Sequence, residues 1–340
     1  QTIPIGVSLV TYANINCNNT SAGGATLSAA ITGVNVIGNL QVQTGILNNG
    51  GFAINLANNR SFSVSNDATF NLFSTSGMVT VLGTGTKTFG SNSIVDYAGS
   101  SQTVSNESYG GLMLSGSGTK TLPATPVTVN SLAFNNSNGV LLNSDLTINN
   151  LLTLTSGNIS TGSSTLTISS SGTVSRTSGH IIGNLKKNSF TGNKTFEVGT
   201  ANGYTPVNLV ATGNGDFTVR SVGTSHPNAS GTNILQMYWT LTNGGLTSAD
   251  LTFNYLDADV VGDENQYELG RYNGSWAFLS PITLNTTANT VSINGINSFS
   301  DWTLGEPGAL PVELSSFTAS VISSTVKLSW QTATEINNYG

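Results

Sequence analysis

One cysteine, little charge and no long apolar run mark this chain first by what it leaves out. A single Cys17 rules out an intrachain disulfide framework. Its expected state is a small buried side chain, the other use of an unpaired thiol in a secreted protein being an intermolecular disulfide. Charged residues are 8% of the 340 positions, against ~25% in ordinary soluble chains. Net charge is −6 with no basic run, which excludes a nucleic-acid partner. No apolar stretch reaches the ~18 residues of a membrane span. The two histidines, His180 and His226, are too few for a His-rich metal site. No Gly-x-Ser-x-Gly elbow is present, so no serine-hydrolase nucleophile is in view.

What is there is Ser, Thr and Asn, with 39 glycines and 37% hydrophobic residues. That balance is too apolar and too regularly patterned for a disordered chain, and small polar residues are what tight turns require. A helix over 22–31 is disfavoured because Gly23 and Gly24 cost about 1 kcal/mol each; the stretch reads as a loop or a capping strand. The chain opens on Gln1 without an initiator Met or a leader, as after removal of a signal peptide. The expected location is therefore secreted, extracellular or cell-surface.

Charge divides the chain. Residues 1–175 hold seven charged side chains, whereas residues 176–340 hold nineteen together with all four tryptophans. The first part repeats. Val127-Thr128-Val129, Leu146-Thr147-Ile148 and Leu166-Thr167-Ile168 open successive units of nearly equal length. Gly83-Thr84-Gly85-Thr86-Lys87-Thr88-Phe89 returns as Gly116-Ser117-Gly118-Thr119-Lys120-Thr121-Leu122, and positions 39–46 align with 151–158, Val42 on Leu154 and Gly45 on Gly157. Period-two alternation means half-buried strands, and a unit of short strands ~20 residues long is one coil of a β-solenoid. Leu146, Ile148, Leu152, Leu154, Leu166 and Ile168 are expected inside, with Thr147, Thr153 and Thr167 in outward ladders. A sandwich of meandering hairpins is the competing architecture.

The expected fold is all-β. A parallel β-solenoid of the right-handed type over 34–187, behind an N-terminal cap or extension over 1–33, precedes an antiparallel β-sandwich over 188–306. The sandwich rests on nine longer, aromatic-bearing strands with turns at Asn214-Gly215, Asn243-Gly244-Gly245 and Asn273-Gly274. Residues 307–340 are a stiff linker and two strands, with Phe317 and Trp330 expected to face a core. Two strands are not a stable domain, so either a third domain is cut or the strands complete something else.

The run Leu310-Pro311-Val312-Glu313-Leu314-Ser315-Ser316-Phe317-Thr318-Ala319, with Val326-Lys327-Leu328-Ser329-Trp330-Gln331-Thr332 after it, resembles the start of the fibronectin-III-like module near the C-terminus of large surface proteins of the Bacteroidota. Those modules commonly precede a type IX sorting domain. Ser115-Gly116-Ser117-Gly118-Thr119-Lys120-Thr121-Leu122 is similar in style to the β-helical repeats of the same proteins, and Phe196-Glu197-Val198-Gly199 through Tyr204-Thr205-Pro206-Val207 to their sandwiches. The resemblance implies export and surface exposure and no catalytic residue.

Carbohydrate-active β-helices need converging carboxylates. The repeats offer only Asp67, Asp96, Glu107 and Asp145, with no paired motif. Gly83–Thr88 and Gly116–Thr121 mimic a phosphate loop but lack the Gly before Lys and a following helix; both read as turns. Asp257, Asp259, Asp263 and Glu264 form the one acidic cluster, a weak Ca²⁺ candidate beside its reading as a solvated loop. No other cofactor is expected. Tyr272 and Trp276 are candidates for stacking on a sugar or for core packing.

The leading expectation is a non-catalytic structural subunit of an extracellular filament, sheath or surface layer, self-associating into a homopolymer. Assembly by strand addition would use residues 3–12 (Ile3, Val7, Leu9) or 312–330 (Val312, Leu314, Phe317, Val326, Leu328, Trp330). A monomeric adhesin or glycan-binding surface protein is the alternative, and a polysaccharide-active enzyme is disfavoured.

Overall fold

The computed structural model describes residues 1–340 apart from 6–10, 76, 311–313, 323–324 and 333–340. It is 55% strand and 2% helix, and its chain divides into two compact units, Gln1–Ile181 and Ile182–Gly340.

The first unit is a parallel β-solenoid of about eight turns. In a regular turn the chain lays down up to three short strands, each stacked on its counterparts before and after. Residues 127–129, 146–148 and 166–168 stack on the first face, in register Val127 to Leu146 to Leu166. Residues 131–135, 151–156 and 173–176 stack on the second, and Lys120–Thr121, Val140–Leu141 and residues 159–160 on the third. The interior is apolar because alternate residues point in: Leu146, Ile148, Leu152, Leu154, Leu166 and Ile168 are all at most 1% exposed. Each such side chain contributes roughly 1.5–3 kcal/mol by leaving water. Thr128, Thr147 and Thr167 form one outward ladder. Thr153 belongs to another face, between Ala133 and Ser175.

The parallel ladders begin earlier than residue 34. Thr2–Ile3 pairs with residues 26–27, and Ile15–Asn19 and Ala25–Leu27 both pair with Leu40–Asn48. The stretch expected as a cap is thus the opening of the solenoid itself. The repeat shared by residues 83–89 and 116–122 is a coincidence of corners and not of coils: Lys87–Phe89 stacks on Phe62–Val64 on the first face, whereas Lys120–Thr121 lies on the third. Likewise Val42 sits on the first face and Leu154 on the second.

One coil is short. Ile94 stacks on Thr69 behind it and on Gly111 ahead of it, and the chain from Ile94 to Gly111 is much the briefer of the two. That length leaves no first-face strand, and residues 104–109 cross there irregularly. Tyr97 and Tyr109 plug the gap, their hydroxyls 2.8 Å apart, with the Ser105 N–H donating to Tyr97 and the Tyr109 hydroxyl donating to the Ser105 carbonyl, each at 2.9 Å. Burial raises both phenol pKa values.

The second unit is antiparallel. Val207–Val222 is one long strand that pairs with Ser248–Asn254 through its first half and with Tyr238–Gly244 through its second. Asn214-Gly215 is therefore a point where a strand passes between two ladders, not a hairpin turn. One ladder continues to Thr290–Ile296 and Thr283–Asn285; the other continues to Asp301–Gly305, Glu268–Tyr272 and Trp276–Phe278. Trp239, Trp302, Phe253, Phe217 and Phe196 are fully buried, with Trp239 and Trp302 each ringed against Phe253 at centroid distances of 4.8 and 5.5 Å. The expected linker is not free: Ala309 and Leu310 pack with Ile234 and Trp276 in a buried cluster.

Candidate functional site

Four features bear on function. The first is the hairpin of Leu314–Ile322 with Thr325–Thr332, which among the described residues pairs only with itself. Its register sets Ala319 across from Leu328 and Val321 across from Val326. Phe317 is 58%, Val321 76%, Val326 63% and Leu328 51% exposed. Phe317 is thus exposed, since among the described residues no second layer lies over the hairpin. Leu314 and Trp330 lie in the hairpin's register, opposite Thr332 and Phe317, and Val312 is outside the described residues.

The second is the opening of the solenoid. Ile3 is already paired, with Leu27, and Ile5 is buried, so this end of the 3–12 segment is built into the fold. Val7 and Leu9 lie outside the described residues.

The third is the acidic loop, whose carboxylates the structure disperses. Asp259 is fully buried and accepts from the Asn202 amide at 2.6 Å, while Asp257 accepts from Asn289 at 2.6 Å. Asp263 accepts from the Asn265 N–H, and Glu264 accepts from the Tyr255 hydroxyl at 3.0 Å. Among the described residues no three His, Cys, Asp or Glu side chains gather as a metal-holding group. The Asp-x-Asp spacing fails because residues 257–259 form a 3-10 turn, which aims the first and third side chains apart. In the same unit burial lowers the Lys187 pKa against the pull of Glu197, 2.9 Å away, and Lys186 holds Asp216 below the usual carboxylate range.

The fourth is a feature the sequence does not announce. A groove of about 300 Å³ on the solenoid is lined by Thr75, Gly77, Ser101, Gln102, Thr103, Thr119 and Thr121. Thr103 and Thr121 stack on the third face, and no ladder among the described residues joins them to Thr80–Leu82. Beneath it Lys120 is fully buried, its ammonium donating to the carbonyls of Gly99 and Ser100 and to Gln102 Oε1 at 2.6, 2.7 and 2.9 Å. Burial lowers its pKa and the charge of Asp96 opposes that.

The remaining candidates are occupied with structure. Asp96 accepts from the Ser115 hydroxyl, which lies within 2.9 Å of both its oxygens, burial raising its pKa; Glu107 pairs with Lys87; and Asp145 accepts from the Thr165 N–H. Trp276 is buried, its indole N–H donating to the Asn228 carbonyl, and Tyr272 packs against it, so Trp276 offers no face to a sugar. His226 is buried between Tyr238, Tyr272 and Trp276, with Asp301 at 3.3 Å. Cys17 is buried and unpaired. Among the described residues no helix is long and apolar enough to cross a membrane. No protein-family model matches the chain, and no curated protein or solved structure matches it.

Proposed function

We propose that this protein is a secreted structural subunit of an extracellular filament, sheath or surface layer, and that copies join by strand addition at the terminal hairpin. The observation that carries this reading is the solvent-exposed apolar quartet Phe317, Val321, Val326 and Leu328. A two-stranded hairpin is marginal alone, and contiguous exposed apolar surface marks a contact. Both hairpin strands also keep a free edge among the described residues, the element that strand addition uses. The resemblance of residues 310–332 to modules of exported surface proteins supports an extracellular location. No catalytic residue is assigned: Asp96, Glu107 and Asp145 are each engaged internally, by the Ser115 hydroxyl, Lys87 and the Thr165 N–H.

Negative-stain electron microscopy of the whole chain, across protein and Ca²⁺ concentrations, tests the reading. Ordered polymers are expected, and the combined Phe317→Ser, Val321→Ser, Val326→Ser and Leu328→Ser variant should remain dispersed with an unchanged circular dichroism spectrum. Dispersed wild-type particles under every condition would sink it.

The hydroxyl-lined groove supports a second reading, a surface adhesin taking a polar ligand such as a glycan. Its size lies at the lower end of ordinary ligand sites, ~300–1,000 Å³. Glycan-array binding that is lost in Thr103→Val with Thr121→Val would favour it.

A further inference from the structure

Among the described residues Glu268 stands apart from the other acids of its unit. Its neighbours in the fold have internal work: Glu264 accepts from Tyr255, and Glu306 accepts from the Asp263 N–H and the Asn233 amide. The carboxylate of Glu268, a residue in register with Gly305, makes no hydrogen bond or ion pair among the described residues. It borders a cleft of about 130 Å³ whose other walls are Leu269, Phe278, Leu279, Ser280 and Ile282. Mostly apolar walls beside one half-exposed carboxylate with no protein partner describe a ligand of matching form, an aliphatic stem with a positive tip.

Size narrows the choice. The cleft is well below the ~300 Å³ at which ordinary small-molecule sites begin, so it admits a single side chain and not a sugar ring. Ca²⁺ needs six or more oxygens, which these walls do not offer. A guanidinium is a broad planar fork suited to several acceptors, whereas an ammonium is a compact point charge on an unbranched stem. The wider field agrees: residues 182–340 contain twelve Asp and Glu against six Lys and Arg, a net of 6 − 12 = −6, which draws a cationic partner.

We infer that this cleft is a receptor for one lysine side chain of a partner polypeptide, with the ammonium on Glu268 and the butyl stem against Phe278, Leu279 and Ile282. The assignment does not depend on the assembly reading, since the partner is defined by its lysine and not by its identity. Burial also raises the Glu268 pKa, the expected state of a carboxylate waiting for a counter-charge.

The test is methyl NMR of the whole chain at neutral pH, titrated with n-butylammonium chloride and, separately, with n-butanol and CaCl₂. Saturable shifts are expected at Leu279 and Ile282, with butylammonium binding about tenfold or more tightly than butanol, the size of one charge-assisted hydrogen bond. Glu268→Gln should abolish that preference and leave the remaining methyl spectrum intact. Should that variant not fold, acidification of the wild type supplies the same test, because protonating Glu268 must weaken butylammonium and not butanol. Absence of saturable shifts, equal binding of alcohol and ammonium, undiminished ammonium binding in the variant, or tighter Ca²⁺ binding at these methyls would each overturn the assignment.

Discussion

Lys120 shows how a single buried charge holds a coil together. From the third face its ammonium adds donors to the carbonyls of the turn at 99–100, as polar side chains do at other corners. Asn49 accepts from the Phe73 N–H in the next coil, and the Asn136 amide donates to the Gly118 carbonyl in the previous one. Lys120→Met keeps the stem but strands the Ser100 carbonyl, while the Gly99 carbonyl keeps the Ser117 N–H and Gln102 Oε1 keeps the Gly99 N–H. With such an orphan costing ~1–3 kcal/mol, a loss of about that size is expected, read as a lower urea midpoint; an unchanged midpoint would show that the corner does not need the cation. Glu268 makes the opposite prediction. Burial holds its folded pKa above the unfolded value, so the folded state keeps its proton longer. Below the unfolded pKa both states are protonated and nothing is lost, whereas stability falls as pH rises through the interval and stays lower beyond the folded value. Glu268→Gln should therefore be more stable than wild type at neutral pH and equal to it at pH well below the carboxylate range, by thermal melts at both pH values.

Among the elements, the coils are legible in the sequence where their length is constant. Val127, Leu146 and Leu166 carry the same apolar-Thr-apolar triplet, and they stack in register, because an unchanged coil length returns the same residue to the same face. Where lengths vary, similar sequence marks similar corners and not equivalent strands. Gly45 and Gly157 make the point: they occupy different corners, yet both have positive φ, 73° and 78°. A Cβ on either would lie 1.7 or 1.9 Å from a carbonyl oxygen of the preceding coil, Asn19 or Asn136. An alignment that pairs them finds a shared geometric demand at the wrong level of the hierarchy. Gly157→Ala should consequently cost more than the ~1 kcal/mol of an ordinary strained turn glycine, as measured by urea unfolding. Thr167→Ala on the half-buried outward ladder should change the midpoint little, as substitutions away from the core do. In the second unit the aromatic runs locate most strands, but Asn214-Gly215 misleads because a dipeptide cannot reveal that its strand continues in another ladder. The hydroxyl groove and the Glu268 cleft are not legible, since each joins residues whose adjacency depends on pairing across coils or ladders.

At the scale of the whole molecule, charge is segregated. Residues 1–181 carry four acids and four bases, for a net of 4 − 4 = 0, so the entire −6 belongs to residues 182–340. Neutrality suits the solenoid, where like charges stacked one coil apart would repel; Asp96, between Asn71 and Met113 in its ladder, has no charged neighbour there. The proposed assembly hairpin lies in the acidic unit and is itself nearly uncharged, with Lys327 its only charged side chain between residues 314 and 332. Joining copies through it brings like-charged units together while burying apolar surface, so the two contributions oppose each other and differ in their response to salt. Screening shortens to a Debye length of about 10 Å at 0.1 M and about 3 Å at 1 M, removing most of the repulsion and leaving the apolar contact in place. Light scattering by the whole chain should therefore rise between about 0.01 M and 1 M NaCl, and the variant carrying serine at Phe317, Val321, Val326 and Leu328 should show no such rise. Dissolution of polymers by salt would instead place the holding force in ion pairs, and it would move the site of assembly from the hairpin to the charged loops of the same unit.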